Sequence, residues 1–258
     1  MKRDDVDSMK RDIAILIILL LLCAGTLIYP HIQRRLFDNR AQITIAEFEN
    51  RMEGYKLERM LSNGDSYDIP LEEDYGFWLN MVESFLSFMN QRLYVENQVH
   101  LVDPFRYDHP CYNIQPFGLD TNIVGILSIP AIDINLPIYL GTSFQHLNSG
   151  VAHLTHSSFP VGGNNTNAVI AGHRNLSHGR VFRDIEQLEI GDEITIVNFI
   201  NTMTYVVVET KIAGPHDIEA LAIQSGRDLV TLVTTHTRRR GNQRYIIVAE
   251  RVGDCEME

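Results

Sequence analysis

His173, Thr235 and Arg244 each stand at the end of an apolar, β-branched run, and together they carry the chemistry that this chain offers. His173 follows Ala168-Val169-Ile170-Ala171-Gly172. Thr235 closes Asp228-Leu229-Val230-Thr231-Leu232-Val233-Thr234, and Arg244 opens Tyr245-Ile246-Ile247-Val248. Runs of that composition are predicted to be buried strands. A side chain at a strand end can meet a substrate while the sheet holds its backbone. In such a trio the imidazole would carry protons, the hydroxyl would attack a carbonyl carbon, and the guanidinium would stabilise an oxyanion or orient the substrate. That is acyl transfer. Spacing alone leaves it open, because any strand-rich domain has His and Thr at strand ends.

The other reactive residue types are less organised. His153 and His156 have a spacing that suits a metal, but no further ligand set accompanies them, so no metal or other cofactor is expected. Cys23 lies in an apolar run, while Cys111 and Cys255 show no metal-ligand or redox spacing. A bridge between the last two is allowed, but nothing in the spacing supports it. His236-Thr237-Arg238-Arg239-Arg240-Gly241-Asn242-Gln243 joins the last two strand runs as a basic loop with a Gly-Asn turn signal. Its arginines could hold an acidic partner, although such a run is more often a solvated loop. The net charge of -11 leaves no basic face for phosphate and argues against nucleic acid as a partner.

The elements that must position the trio begin at Thr121. From there the sequence is a series of short β-type runs: Ile123–Ile129, Leu136–Leu140, Ala168–Gly172, Glu193–Phe199, Thr204–Lys211, Leu229–Thr235 and Tyr245–Val252. Turn-forming residues separate them, which predicts a closed or sandwich-like all-β core. Asp217–Ala222 adds a short helix. Upstream, Ile45, Phe48, Met52, Tyr55, Leu57 and Met60-Leu61 give Ala41 to Asn63 an amphipathic helical pattern, stopped at Asn63-Gly64-Asp65. A second helix is predicted from Glu72 to Asn97, with Phe77, Met81, Phe85, Phe88, Met89 and Leu93 as its packing stripe. Val102 to Pro110 is rich in turn formers and aromatic residues and reads as a connecting loop.

Ile13 to Tyr29 carries no charge and nearly reaches the roughly 20 residues that a membrane-crossing helix needs. A cleaved signal peptide is the rival reading. The run is long for one, and Cys23-Ala24-Gly25 is a weak cleavage site, so an uncleaved N-terminal anchor is favoured. Lys2, Arg3, Lys10 and Arg11 precede the run, and His31, Arg34, Arg35 and Arg40 follow it. That balance does not settle the orientation.

Several ordered motifs bear a family resemblance. Gly125-Ile126-Leu127-Ser128-Ile129-Pro130-Ala131-Ile132 and Leu136-Pro137-Ile138-Tyr139-Leu140-Gly141-Thr142-Ser143 resemble the opening of a sortase core. Gly150-Val151-Ala152-His153-Leu154, Ser157-Ser158-Phe159-Pro160-Val161-Gly162-Gly163, Ala171-Gly172-His173-Arg174, Phe182-Arg183-Asp184-Ile185 and Leu188-Glu189-Ile190-Gly191-Asp192 continue the likeness in order. It covers about Thr121 to Val252 and is closest to class C, the pilus-assembling type. Asp103-Pro104-Phe105 resembles that class's lid, which folds over the active site.

The resemblance implies an eight-stranded β-barrel transpeptidase fixed to the outer face of a Gram-positive-type membrane. Such enzymes cleave an LPxTG-like sorting signal after its Thr, hold the product as a thioester, and pass it to an amine. The partners implied are a pilin or surface protein bearing that signal, and an acceptor amine from a pilin Lys or a cell-wall precursor. By position, His173 matches the catalytic His, Arg244 the catalytic Arg, Asp103 the lid residue that pairs with that Arg, and Phe105 the aromatic that covers the nucleophile.

Three departures stand out. The family's Thr-Leu-x-Thr-Cys is here Thr231-Leu232-Val233-Thr234-Thr235, the following loop is basic, and no second apolar helix follows the last strand run. A thiol with an ordinary pKa near 8.5 can be drawn down to a thiolate by a cation. A threonine hydroxyl is far less acidic, and known Thr nucleophiles rely on an adjacent base that an internal Thr lacks. Impaired turnover is therefore expected. The alternative is a non-catalytic scaffold or decoy that regulates an active sortase. The expected layout is tail and anchor over 1–40, helices over 41–98, a lid-bearing loop over 99–119, the barrel over 120–253, and a polar tail over 254–258.

Overall fold

The computed structural model describes the backbone of residues 3–62, 71–106, 122–174, 181–236 and 243–252, with side chains from 13–54, 76–106, 122–174, 181–236 and 243–252. Cys111, Cys255, the Gly241-Asn242 turn, and Arg238 to Arg240 lie outside the described residues.

Eight strands close into a barrel: β1 (Ile123–Ile129), β2 (Ile134–Leu140), β3 (Val151–His153), β4 (Thr166–Ala171), β5 (Glu193–Val197), β6 (Thr202–Ala213), β7 (Asp228–Thr235) and β8 (Arg244–Arg251). Their order around it is β1-β2-β3-β4-β7-β8-β6-β5. β4 and β7 run parallel, as do β2 and β3; the remaining neighbours are antiparallel. Seven of these strands coincide with the predicted runs. β3 is the addition: three residues form it by pairing parallel to β2, and so short a run has no alternation to read.

β4, β7 and β8 are apolar on both faces because both are covered. Ile170, Leu232 and Ile247 face the barrel core. Their chain neighbours Val169, Val233 and Ile246 belong to a second cluster, which Leu101, Leu221 and the partly buried Phe105 cover. Two segments thus lie over the outer face: the stretch ending in the single 3-10 turn Pro104–Arg106, and the 3-10 turn Ile218–Leu221. The predicted loop at Val102–Pro110 therefore begins with a turn that proline's fixed φ favours.

The helices depart from expectation twice. The anchor run and the first amphipathic helix form one continuous α1 (Arg3–Ser62) that passes through Pro30. Gln33, Arg34, Arg35 and Leu36 are good helix formers and carry the turn between the two parts. The predicted Ile45 and Phe48 pack on the barrel beside Ile126. In α2 (Leu71–Val95) the packing face is the predicted one only at Met89, which packs against the core. Trp78, Val82 and Leu86 enter the core, whereas Phe77, Met81, Phe85 and Phe88 are exposed. The helix is apolar on two faces, and its dock selects between them. Asn90, 2% exposed, fixes that choice. It donates to the Phe159 carbonyl at 3.1 Å and accepts from the Phe159 N–H at 2.7 Å. A short α3 (Phe144–Ser149), N-capped by Ser143, completes the element set.

Candidate active site

Register brings the predicted trio together. Ala171 pairs with Val233 in the parallel β4–β7 ladder, so His173 and Thr235 lie side by side two residues further on. Thr235 pairs directly with Arg244 across the antiparallel β7–β8 ladder. Side chains two apart share a face, and neighbouring strands lie about 4.8 Å apart. His173, Thr235 and Arg244 therefore form a row across three adjacent strand ends, on the outer face. The row is built by the ends of β4, β7 and β8.

The backbone under His173 is held on every side. Gly172 N–H donates to the Val233 carbonyl at 3.1 Å, Thr234 Oγ1 donates to the Gly172 carbonyl at 2.8 Å, and Phe182 N–H donates to the His173 carbonyl at 3.0 Å. The Phe182 ring lies so close over Gly172 that a Cβ there would stand 2.6 Å from a ring carbon. Glycine is required at that point for space.

The predicted lid residues cover the row. Arg244 donates from Nε to Asp103 Oδ1 and from Nη2 to Asp103 Oδ2, both at 2.7 Å. This is a two-pronged, charge-assisted pair, and both side chains are about nine-tenths buried. Pro104 is buried in the turn. The Phe105 ring spans the row, with its centroid 5.8 Å from that of His173 and 5.0 Å from the Arg244 guanidinium carbon. Burial beneath this cover lowers the pKa of His173, so its imidazole is neutral at pH 7 and ready to accept a proton.

Other histidines are placed away from the row. Buried His153 donates from Nε2 to the Ser158 carbonyl at 2.8 Å and stacks on Phe159. The ring of His156 packs with that of His100. Strand alternation predicts that His236, next to Thr235, turns to the opposite face. It does turn there, but into a cluster with Arg174, Glu186 and Tyr245 that spacing gave no means of seeing. The signal available in the sequence is that Arg174 ends the Ala171-Gly172-His173-Arg174 motif and Glu186 follows Phe182-Arg183-Asp184-Ile185.

The eight-stranded closed barrel carries a His, a hydroxyl and an Arg aligned at its strand ends, residue types that together can do acyl-transfer chemistry. Residues 127–252, about half of the chain, match the sortase domain, and the barrel is the sortase fold, that of the family's transpeptidases. Sortase D of Bacillus subtilis (strain 168) is 36% identical over 131 residues, which are 50% of this chain and 63% of that protein. The chain thus spans somewhat less than two-thirds of that curated relative. A sortase C-1 mutant from S. pneumoniae superposes with a TM-score of 0.66 at 26% identity, covering 81% of this chain and 96% of that one. A pilus-related sortase C of Group B Streptococcus gives 0.56 at 27% identity, covering 70% and 96%. Those structural matches exceed the barrel, so they include residues upstream of β1. That is where the helices and the Asp103–Phe105 segment lie.

Proposed function

We propose that this chain is a membrane-anchored sortase of the class C type, acting on LPxTG-like sorting signals in pilin polymerisation or cell-wall attachment, with Thr235 in the place of the nucleophilic Cys. One observation carries the reading: the His173–Thr235–Arg244 row lies under Asp103 and Phe105 in a sortase-fold barrel. Within that reading Arg244 would bind the carbonyl oxygen of the scissile bond. His173 would take the proton from the attacking group and return it to the departing amine. The acyl group on residue 235 would then pass to an amine acceptor, releasing the side chain.

Thr235 weakens the first step. Neither a neutral imidazole nor a guanidinium holds an alkoxide at neutral pH, and the Thr methyl crowds the line of attack. Impaired turnover with a retained groove follows. The buried apolar face of α1 beside β1 supports a barrel held close to the membrane. The exposed apolar run, with Leu19, Leu20 and Leu21 at 55%, 63% and 67%, supports the anchor itself. Among the described residues, α1 is the one helix long and apolar enough to cross a membrane.

The deciding experiment is transpeptidation of an LPxTG-type peptide to an amine acceptor. Low turnover in the natural chain, raised by at least about a hundredfold in Thr235→Cys and abolished by adding His173→Ala, is the expected result; a change of that size is about 2.7 kcal/mol in barrier. The scaffold or decoy reading is favoured by the same Thr235 and by the closed Asp103–Arg244 pair. Peptide binding that Thr235→Cys does not convert to turnover would select it.

A further inference from the structure

Arg174 and His236 are the residues next to His173 and Thr235, just past the ends of β4 and β7, and their contacts with Glu186 and with Tyr245, which packs against the barrel core, place them on the face opposite Phe105. There they meet. Arg174 Nη1 donates to the His236 carbonyl and to Glu186 Oε1, while Nη2 donates to Glu186 Oε2 at 2.8 Å. His236 Nδ1 lies 3.0 Å from Glu186 Oε1, and a carboxylate only accepts, so Nδ1 carries a proton. The His236 ring stacks on Tyr245 at 5.9 Å, and the His236 backbone N–H donates to the Gln243 carbonyl at 3.0 Å. Hydrogen bonding from Arg174 holds the Glu186 carboxyl below its ordinary range, so the ion pair persists through neutral pH. Glu186 itself is held on the turn Ile185–Gln187, whose Ile185 is fully buried in the barrel core.

The β4–β7 ladder ends at Ala171–Val233 and the Gly172 N–H bond to Val233. There two side-chain bonds join the strand end bearing His173 to the one bearing Thr235: Thr234 Oγ1 to the Gly172 carbonyl, and, one residue beyond His173, Arg174 to the His236 carbonyl. A side-chain bridge continues where the backbone ladder stops. An arginine can reach a carbonyl and both oxygens of a carboxylate from one rigid fork, which a lysine cannot.

We propose that Arg174, Glu186 and His236 form a positioning clamp that sets the approach of His173 to the side chain at position 235, from the face opposite Phe105. The inference rests on the reading of His173 and Thr235 as the reacting pair. Its effect is indirect: the clamp touches neither reacting atom, but a displacement of about 1 Å between reacting groups can cost about a hundredfold in rate.

The test uses the full chain carrying Thr235→Cys, with a thiol reporting its own surroundings. Iodoacetamide alkylation at position 235 is followed from pH 5 to 10 by peptide mass spectrometry, which separates it from Cys23, Cys111 and Cys255. Paired with His173, the thiol titrates below its ordinary value of about 8.5. Adding Glu186→Gln, or Arg174→Lys, is expected to move that midpoint up by about one pH unit, cutting alkylation at pH 7 about tenfold. Arg227→Lys, at the comparable but distant Arg227–Glu250 pair, leaves the midpoint in place and controls for general loosening. Thermal unfolding of each variant confirms that it folds. A lowered midpoint that neither clamp substitution moves overturns the clamp and leaves the His173 pairing standing. An ordinary midpoint in Thr235→Cys itself, unchanged in the clamp variants, overturns both.

Discussion

Asp103 and Arg244, 141 positions apart in sequence, meet as a two-pronged ion pair that closes the segment before β1 over the end of β8. Hydrogen bonds to charged groups contribute about 1.5–3 kcal/mol when partly buried. Asp103→Ala removes both prongs and frees Phe105 from its seat between His173 and Arg244. The expected outcome is easier entry: in a Thr235→Cys background, alkylation at position 235 speeds up severalfold, and the thermal midpoint falls by several degrees because Arg244 loses its buried partner. Equal rates with and without Asp103 would mean that the segment does not limit access.

Gly172→Ala tests the support beneath His173. Its Cβ would stand 2.6 Å from the Phe182 ring, and Phe182 is fully buried, so the ring has no free space to enter. Overpacking of this kind costs about 1–3 kcal/mol. Denaturant unfolding should report that loss. Transpeptidation in a Thr235→Cys background should fall further than stability does, because His173 is the next residue and moves with the strain. A variant as stable as its parent would show that β4 yields easily.

How far the sequence disclosed all this depends on what each feature rests on. β4, β7 and β8 were legible because both faces are buried, so Val, Ile and Leu run on without interruption. The row of His173, Thr235 and Arg244 was legible only as three strand ends; register, which no spacing encodes, made them neighbours. β3 escaped because pairing with β2, not composition, makes it a strand. In α2 the residues read as packing, Phe77, Met81, Phe85 and Phe88, are exposed, while Trp78, Val82 and Leu86 pack. A helix apolar on two faces gives no internal reason to prefer one. The Arg174–Glu186–His236 cluster joins three separate segments, so only the folded chain reveals it.

The pH dependence of stability should carry the mark of His153. Its ring is fully buried, Nε2 donates to Ser158, and Nδ1 is without a partner, so a second proton would be buried uncompensated. Burial pushes its pKa down to about 4 from the ordinary 6.5. Between those values the unfolded chain takes up a proton that the folded chain refuses. Stability from this group is therefore full above about pH 6.5 and is lost as pH falls toward 4, to a total of about 3 kcal/mol. Urea unfolding at pH 7.5, 5.5 and 4.5 measures the slope. His153→Gln keeps a donor for Ser158 and removes the titration, so part of the acid loss should vanish; an identical slope in that variant would place the acid sensitivity elsewhere.

The continuous α1 leads to a separable pair of roles. Leu27 and Ile28 are 73% and 54% exposed, whereas Phe37, Ala41, Ile45 and Phe48 are all buried on the barrel side. The first part has no protein to cover it, and the second is integral to the barrel's packing. Removing residues 1–30 should therefore release the chain from the membrane fraction into the soluble one, with a thermal midpoint within a few degrees of the full chain. Removing residues 1–50 should strip four buried apolar side chains; each is worth about 1.5–3 kcal/mol for a large one and less for Ala41, so the barrel should unfold at markedly lower temperature. Detergent extraction that carbonate washing does not reproduce would identify α1 as an integral anchor. A full chain found wholly soluble would exclude it.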